Sequence, residues 1–435
     1  MSQVMTDLLS RGGASIVGFL LVLATTISLM RTVVIPRALH SLISDTVSKV
    51  VTSTALILSR MRRTYAKRDG VLAWAGGTII VLQLLTWLAL YLVGYGLLIY
   101  GVSGMGMGDA MRESGSSLLT LGFASQNTED QTIIDFLAAA TGPIVIAMLI
   151  GFLPTIYSVY IEREVNVTML GTAGGEPVWG PEMLARYSLA DAVDDLEDTF
   201  AEWSRWAAAL RMTHVTYPVL VWVRSARASR HYITSLLAVM DAAALMLSLN
   251  SSRKHPKAFT MLLQGGQALE VMYVFLFRKA PWRDRRLFAG MFTDRSPELQ
   301  GLSEAMPVWN KRMMATELAS DADAAQGLDA DAVAALERGD IHPLSITRAD
   351  FDEAVEMLRR AHFPIDRDLD DAWDHFRVMR SRYEFPAHQI AYRLDATPTP
   401  WSGDRRVPTP VAWPTPAVSM IPRHSGTDDP EAAGA

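Results

Sequence analysis

The chain has 435 residues, a formal net charge of −6, 50% hydrophobic and 20% charged residues, and no cysteine. Without cysteine there are no disulfides, thiolate metal sites or cysteine nucleophiles. The modest charge and the lack of a basic, aromatic-interleaved patch argue against nucleic acid as a partner.

Apolar and charged residues separate along the chain, with the long apolar runs in 1–160 and most of the charge in 161–435. A helix needs about 20 apolar residues to cross the hydrocarbon core. The run from Ala14 to Ile35 meets that length and defines an N-terminal membrane anchor, residues 1–36. It is read as retained, because it is long, lacks a strongly basic start and is followed by basic residues.

Residues 37–70 are expected to form a cytosolic amphipathic basic helix. Leu39, Ile43, Val47, Val50, Thr54, Ile57 and Met61 recur at three- and four-residue steps and so share one face, with Arg60, Arg62, Arg63, Lys67 and Arg68 at the end. Such a stripe needs cover, from the inner membrane surface or from a partner subunit. The basic end suits anionic head groups or simply fixes topology.

Residues 71–160 hold a second run, Val71 to Tyr100, then a short helix that Asp109 can cap, a loop, and a third run from Thr132 to Tyr160. The loop reads Thr120-Leu121-Gly122-Phe123-Ala124, with Ser117 three residues ahead of it. These residues, in the order span, short helix, loop, span, resemble the filter of the pore-loop potassium channel superfamily (T-V-G-Y-G) in all but the last position. The chain resembles a divergent member of that superfamily and, over its length, actinobacterial-type potassium channel-like membrane proteins.

The resemblance implies that the carbonyls of Thr120, Leu121, Gly122 and Phe123, with the Thr120 hydroxyl, replace water around permeating K+, with Na+ admitted too. It also implies a homotetramer, since one loop cannot enclose an ion. Ser117 and Asp109 support the filter, and Phe123 braces it from behind. Ala124 stands where the family has its second glycine. A left-handed backbone there would cost about 1–2 kcal/mol and weaken the outermost oxygen ring. Gly142, Gly151 and Pro154 are candidate gating hinges in the third span, with close helix packing as the competing explanation.

Lys and Arg crowd the loop between the first two spans, which places that loop in the cytosol, the N-terminus outside and the C-terminal domain in the cytoplasm of a multi-pass cell-membrane protein. Asp109, Glu113, Glu129 and Asp130 give the outer segment an acidic excess. Such an excess focuses cations at a mouth.

Residues 161–180, with Gly171 to Pro177, read as a turn-rich linker, and 181–395 as a helical cytosolic domain whose ligand or protein partner the sequence does not specify. Ile233–Leu249 and Ala258–Phe277 are read as a buried helical pair. They contain Asp241, Gln264, Gln267 and Glu270, and an acid at the bilayer centre costs about 2.5–3.5 kcal/mol. Further helices are expected over Asp329–Arg338, Thr347–Ala361, with Thr347 as cap and Asp350 closing a capping box, and Asp370–Arg382.

Asp366, Asp368 and Asp370 are read as an acidic helix start. The glycine of a calcium loop is replaced by Asp371 and its closing glutamate by Arg377. Residues 396–435 are expected to be a disordered Pro-rich tail.

The fold class expected is mainly α: a membrane protein with three transmembrane helices and one re-entrant pore loop, followed by a helical cytosolic domain. The expected function is a tetrameric monovalent-cation channel, with no enzyme activity and no cofactor beyond the permeating ion. The alternative is a non-conducting membrane sensor or scaffold that retains the pore-loop fold.

Overall fold

The structure, a computed structural model, describes residues 2–35, 41–124, 129–277 and 344–403. Among the described residues it is mainly helical, with no strand. In chain order the helices are α1 (Ser2–Leu29), α2 (Leu42–Arg60), α3 (Tyr65–Leu72), α4 (Trp74–Ser103), α5 (Met107–Leu118), α6 (Glu129–Gly174), α7 (Gly180–Leu189), α8 (Leu196–Thr216), α9 (Tyr232–Leu249), α10 (Pro256–Phe277), α11 (Arg348–Arg360), α12 (Leu369–Ser381) and α13 (Glu384–Arg393). A single π turn, Met30–Val34, extends α1. The expected helix at Asp329–Arg338 lies outside the described residues.

Two compact units form. The first comprises residues up to Glu164 together with Met212–Ala228, and the second Val165–Arg211 together with the chain from Ser229 onward.

In the first unit, Leu29 of α1, Trp87, Tyr91 and Tyr95 of α4, Leu118 of α5, and Ala138 and Val145 of α6 make one buried cluster. α1 lies along α4 because glycines let the backbones approach: a methyl on Gly18 would meet the Gly94 carbonyl oxygen at 2.6 Å. This is the small-residue packing by which helices associate in lipid, where van der Waals contact replaces the hydrophobic effect. Hydroxyl pairs cross the same bundle, Thr26 with Tyr91 at 2.8 Å and Tyr95 with Thr141 at 2.7 Å.

Four stretches that lie wholly or mostly in this unit, Ser10–Val34, Leu42–Arg60, Tyr65–Ser103 and Gln131–Gly174, are long and apolar enough to cross a bilayer. Only 22 to 28% of each stretch's most apolar window is buried, so their apolar sides face outward, as in a multi-pass membrane protein. The three expected spans fall within this set.

α2 is the addition. Val51, Thr52, Ala55 and Ser59 are the residues it buries, with Ala55 against Leu72 and Ala75. Of the expected stripe, Ile43 packs on the main cluster, while Val50, Ile57 and Met61 are exposed within the chain, as a face awaiting membrane or a partner subunit would be.

The returning segment Met212–Ala228 is clasped by polar contacts. Arg163 of α6 donates to the carbonyls of Leu220 (3.0 Å) and Val223 (2.8 Å) and lies 3.2 Å from the His214 ring. Arg224 donates to Asp69 at 2.6 Å and to the Tyr65 hydroxyl at 2.7 Å.

The second unit is built around α9, which packs on α7, α10, α12 and α13. α9 also has the length and composition of a span, but 94% of it is buried within its own unit, which leaves no lipid-facing side. The buried helical pair expected from the sequence is therefore present. Asp241, in the middle of α9, accepts from the Tyr383 hydroxyl (2.8 Å) and pairs with Arg380, whose Nε donates to Glu384 at 2.5 Å. Burial pushes the Asp241 carboxyl up to about 6 against the opposing pull of Arg380 and Tyr383. Burial also acts to raise the Glu384 carboxyl, but Arg380, His388 and the Ser345 N–H together outweigh it and hold that group below its usual range.

Two segment boundaries differ from the sequence reading. The linker expected over 161–180 is helical as far as Gly174, because α6 runs on without a break. The tail expected from 396 begins in packed structure: Ala396, Thr397, Thr399 and Ser402 are buried, and the Trp401 ring lies 5.5 Å from Trp179 and 5.6 Å from Phe376. Residues 404–435 lie outside the described residues.

The capping box of α11 forms as expected. Asp350 N–H donates to Thr347 Oγ1 (3.3 Å), and Thr347 N–H donates to Asp350 Oδ2 (2.7 Å). Each acid of the Asp366-x-Asp368-x-Asp370 run has protein partners. Asp366 accepts from Ser251 N–H (2.6 Å) and Ser252 N–H (2.9 Å), Asp368 caps α12, and Asp370 pairs with Arg348 (2.6 Å).

Candidate functional site

The candidate loop follows the C-terminus of α5, where the unpaired helix carbonyls carry partial negative charge. Thr120, Leu121, Gly122 and Phe123 are exposed, and Ala124 is half-buried.

The loop's amides turn back toward α5. Thr120 N–H donates to the Ser117 carbonyl (3.0 Å) and Leu121 N–H to the Ser116 carbonyl (2.8 Å). Phe123 N–H and Ala124 N–H both donate to the Ser116 hydroxyl, each at 3.1 Å. That hydroxyl donates in turn to the Ala124 carbonyl at 3.3 Å. Among the described residues, the carbonyls of Thr120, Leu121, Gly122 and Phe123 accept no hydrogen bond. The amides are thus spent on the helix while four oxygens are left open.

The backbone reaches this arrangement by alternating the sign of φ. Thr120 has φ +54° and Gly122 φ +69°, whereas Leu121, Phe123 and Ala124 stay at negative φ. For Gly122 the left-handed region is free of cost. For Thr120, a β-branched residue, it is strained.

Ala124 is not left-handed, so the strain expected there does not arise. Its carbonyl is turned back to the Ser116 hydroxyl.

The support residues also differ from expectation. Ser117 directs its hydroxyl away from the loop, to Asp135 Oδ1 at 3.0 Å, and its neighbour Ser116 does the bracing. Asp109 lies in the first turn of α5 without capping it; Gly106 occupies the cap position. Phe123 is 57% exposed, with the Arg112 guanidinium 5.4 Å from its ring, so it does not pack behind the loop.

Glu113, expected at an outer mouth, is buried on α5. Its carboxyl interacts with Asp135 of α6, beside the buried Gln131. The sequence reading missed this pair and Ser116. The available signal was the spacing of one acid on each side of the loop in otherwise apolar or small-residue surroundings.

Of the three hinge candidates, Gly142 is a packing residue. A methyl there would overlap the Leu118 carbonyl oxygen at the end of α5. Gly151 has open space around its α-carbon, and Pro154 sits inside α6 with the helix continuing past it. Residues 125–128 lie outside the described residues, as do the side chains of Glu129 and Asp130.

No family model, no curated protein and no solved structure matches this chain.

Proposed function

We propose that this chain forms a homotetrameric channel for monovalent cations, K+ foremost and Na+ less strongly rejected, with Thr120 to Phe123 as its filter. The observation that supports this reading is the division of the loop's polar groups. A cation stripped of water needs several oxygens that are not already accepting hydrogen bonds. Four consecutive carbonyls meet that condition while the amides beside them are tied to Ser116 and Ser117. The α5 C-terminus behind them adds a favourable field for a cation. One chain supplies one set of oxygens, so a closed ring requires cyclic symmetry, and the resemblance to single-pore-loop channels implies four copies.

In this reading the second unit assembles or regulates the channel from the cytoplasm, and the chain has no catalytic role. The Ala124 carbonyl, held by the Ser116 hydroxyl, is withdrawn from the set, so discrimination between K+ and Na+ is shallower than in a five-oxygen filter.

Two measurements on purified protein test the proposal. Native mass spectrometry in detergent is expected to give tetramers, and proteoliposomes are expected to pass K+ faster than Na+ and exclude Cl−. Monomers without flux would leave the non-conducting scaffold as the better account.

A further inference from the structure

The turn between α2 and α3 carries a charge that its surroundings do not balance. Arg60, Arg62, Arg63 and Lys67 are all exposed. From Thr46 to Ser103 the sequence has one acid, Asp69. Asp69 is buried and committed to Arg224, so it offers nothing to the four exposed cations.

Apolar surface borders the same turn. Val50, Ile57 and Met61 of α2 are exposed, and Trp74, the first residue of α4, is 78% exposed near the start of the apolar run that begins at Val71. An exposed tryptophan at a span end lies at head-group depth. The basic turn is within a few residues of it. Long Arg and Lys side chains at that depth lay their stems along apolar surface and keep their charges among the head groups.

We infer that this turn is a docking surface for anionic phospholipid, with Arg60, Arg62, Arg63 and Lys67 binding head-group phosphates while Val50, Ile57, Met61 and Trp74 lie against acyl chains. The surface is independent of conduction and requires only that α4 cross the membrane. A purely topological role for the cations predicts no head-group preference in the finished protein.

Native mass spectrometry of the detergent-solubilised full chain, offered phosphatidylglycerol or phosphatidylcholine of identical acyl chains, separates the two accounts. Phosphatidylglycerol is expected to be retained at least about tenfold more, given the attraction of each cation for an anionic surface. The variant R60Q/R62Q/R63Q/K67Q is expected to lose that preference while R359Q/R360Q keeps it. If the fourfold variant fails to fold, the native chain still decides the matter, because the preference must shrink as salt is raised. Equal retention of the two lipids, a preference that survives in the folded fourfold variant, or one insensitive to salt would overturn the assignment.

Discussion

Ser116 contributes one oxygen to three hydrogen bonds, and no other side chain fixes so much of the loop. Replacing it by alanine leaves the Phe123 and Ala124 amides without their acceptor, at a cost of about 1–3 kcal/mol for each group cut off from water. Ser116→Ala is expected to cut cation flux in proteoliposomes by tenfold or more, whereas Ser117→Ala leaves it within about twofold; the reverse order would place the brace at the wrong serine. Gly122→Ala meets no neighbouring atom but forces a side chain to φ +69°, so loss of flux with normal membrane insertion is the expected result. That a loop follows a short helix here was legible, because Gly122 is a local signal. Which serine holds it was not, since Ser116 and Ser117 are adjacent on a helix and only the position of α6 decides that Ser117 turns toward Asp135.

At the scale of elements, α6 tests the hinge assignments by contrast. Gly142 touches backbone that cannot move aside, so Gly142→Ala must displace α5 or prevent assembly; low yield and a lost tetramer peak are expected. Gly151→Ala fills empty space in a continuous helix, where alanine is favoured by about 0.5–1 kcal/mol. It should melt no lower than the parent and, by stiffening α6, lower the open probability in planar bilayers. An unchanged open probability would retire Gly151 as a hinge. Helices were well read from sequence where caps or length are local properties, as in the Thr347–Asp350 box of α11. The apolar stripe of α2 was legible, but what covers it was not, because periodicity reports that one face is apolar and says nothing of whether protein or lipid lies against it.

The whole molecule depends on polar contacts between residues far apart in sequence, which periodicity does not reveal. Arg380 is paired with both Asp241 and Glu384 in the buried centre of the second unit, with the His388 ring 4.0 Å from Glu384. Arg380→Met is expected to cost about 3–5 kcal/mol, because two buried carboxylates lose their counter-charge. The pH dependence of that loss has a definite sign. Asp241 already has a raised pKa, near 6, and rises further without Arg380. A raised carboxyl stabilises the fold below its unfolded pKa and loses that contribution as pH rises through the folded value. The Arg380→Met melting temperature should therefore climb between pH 8 and pH 5, and a flat profile would mean that Asp241 is not the group in distress. Asp366 runs the other way. Burial acts to raise it, but hydrogen bonds from Ser251 and Ser252 outweigh that and hold it below its usual range. Its contribution is present at neutral pH and is lost as pH falls below about 4, so Asp366→Asn should blunt acid unfolding in that window.

The clasp on Met212–Ala228 bears on how the protein is made. A ribosome releases Arg163 and Asp69 well before Leu220, Val223 and Arg224 exist, with Val165–Arg211 of the other unit synthesised in between. The first unit is therefore unfinished at Glu164, and its late-arriving piece reaches it only after part of the second unit has left the exit tunnel. A gene cut after Glu164 to isolate the first unit should yield an unstable product. Supplying Met212–Ala228 in the same reading frame through a flexible join should restore it.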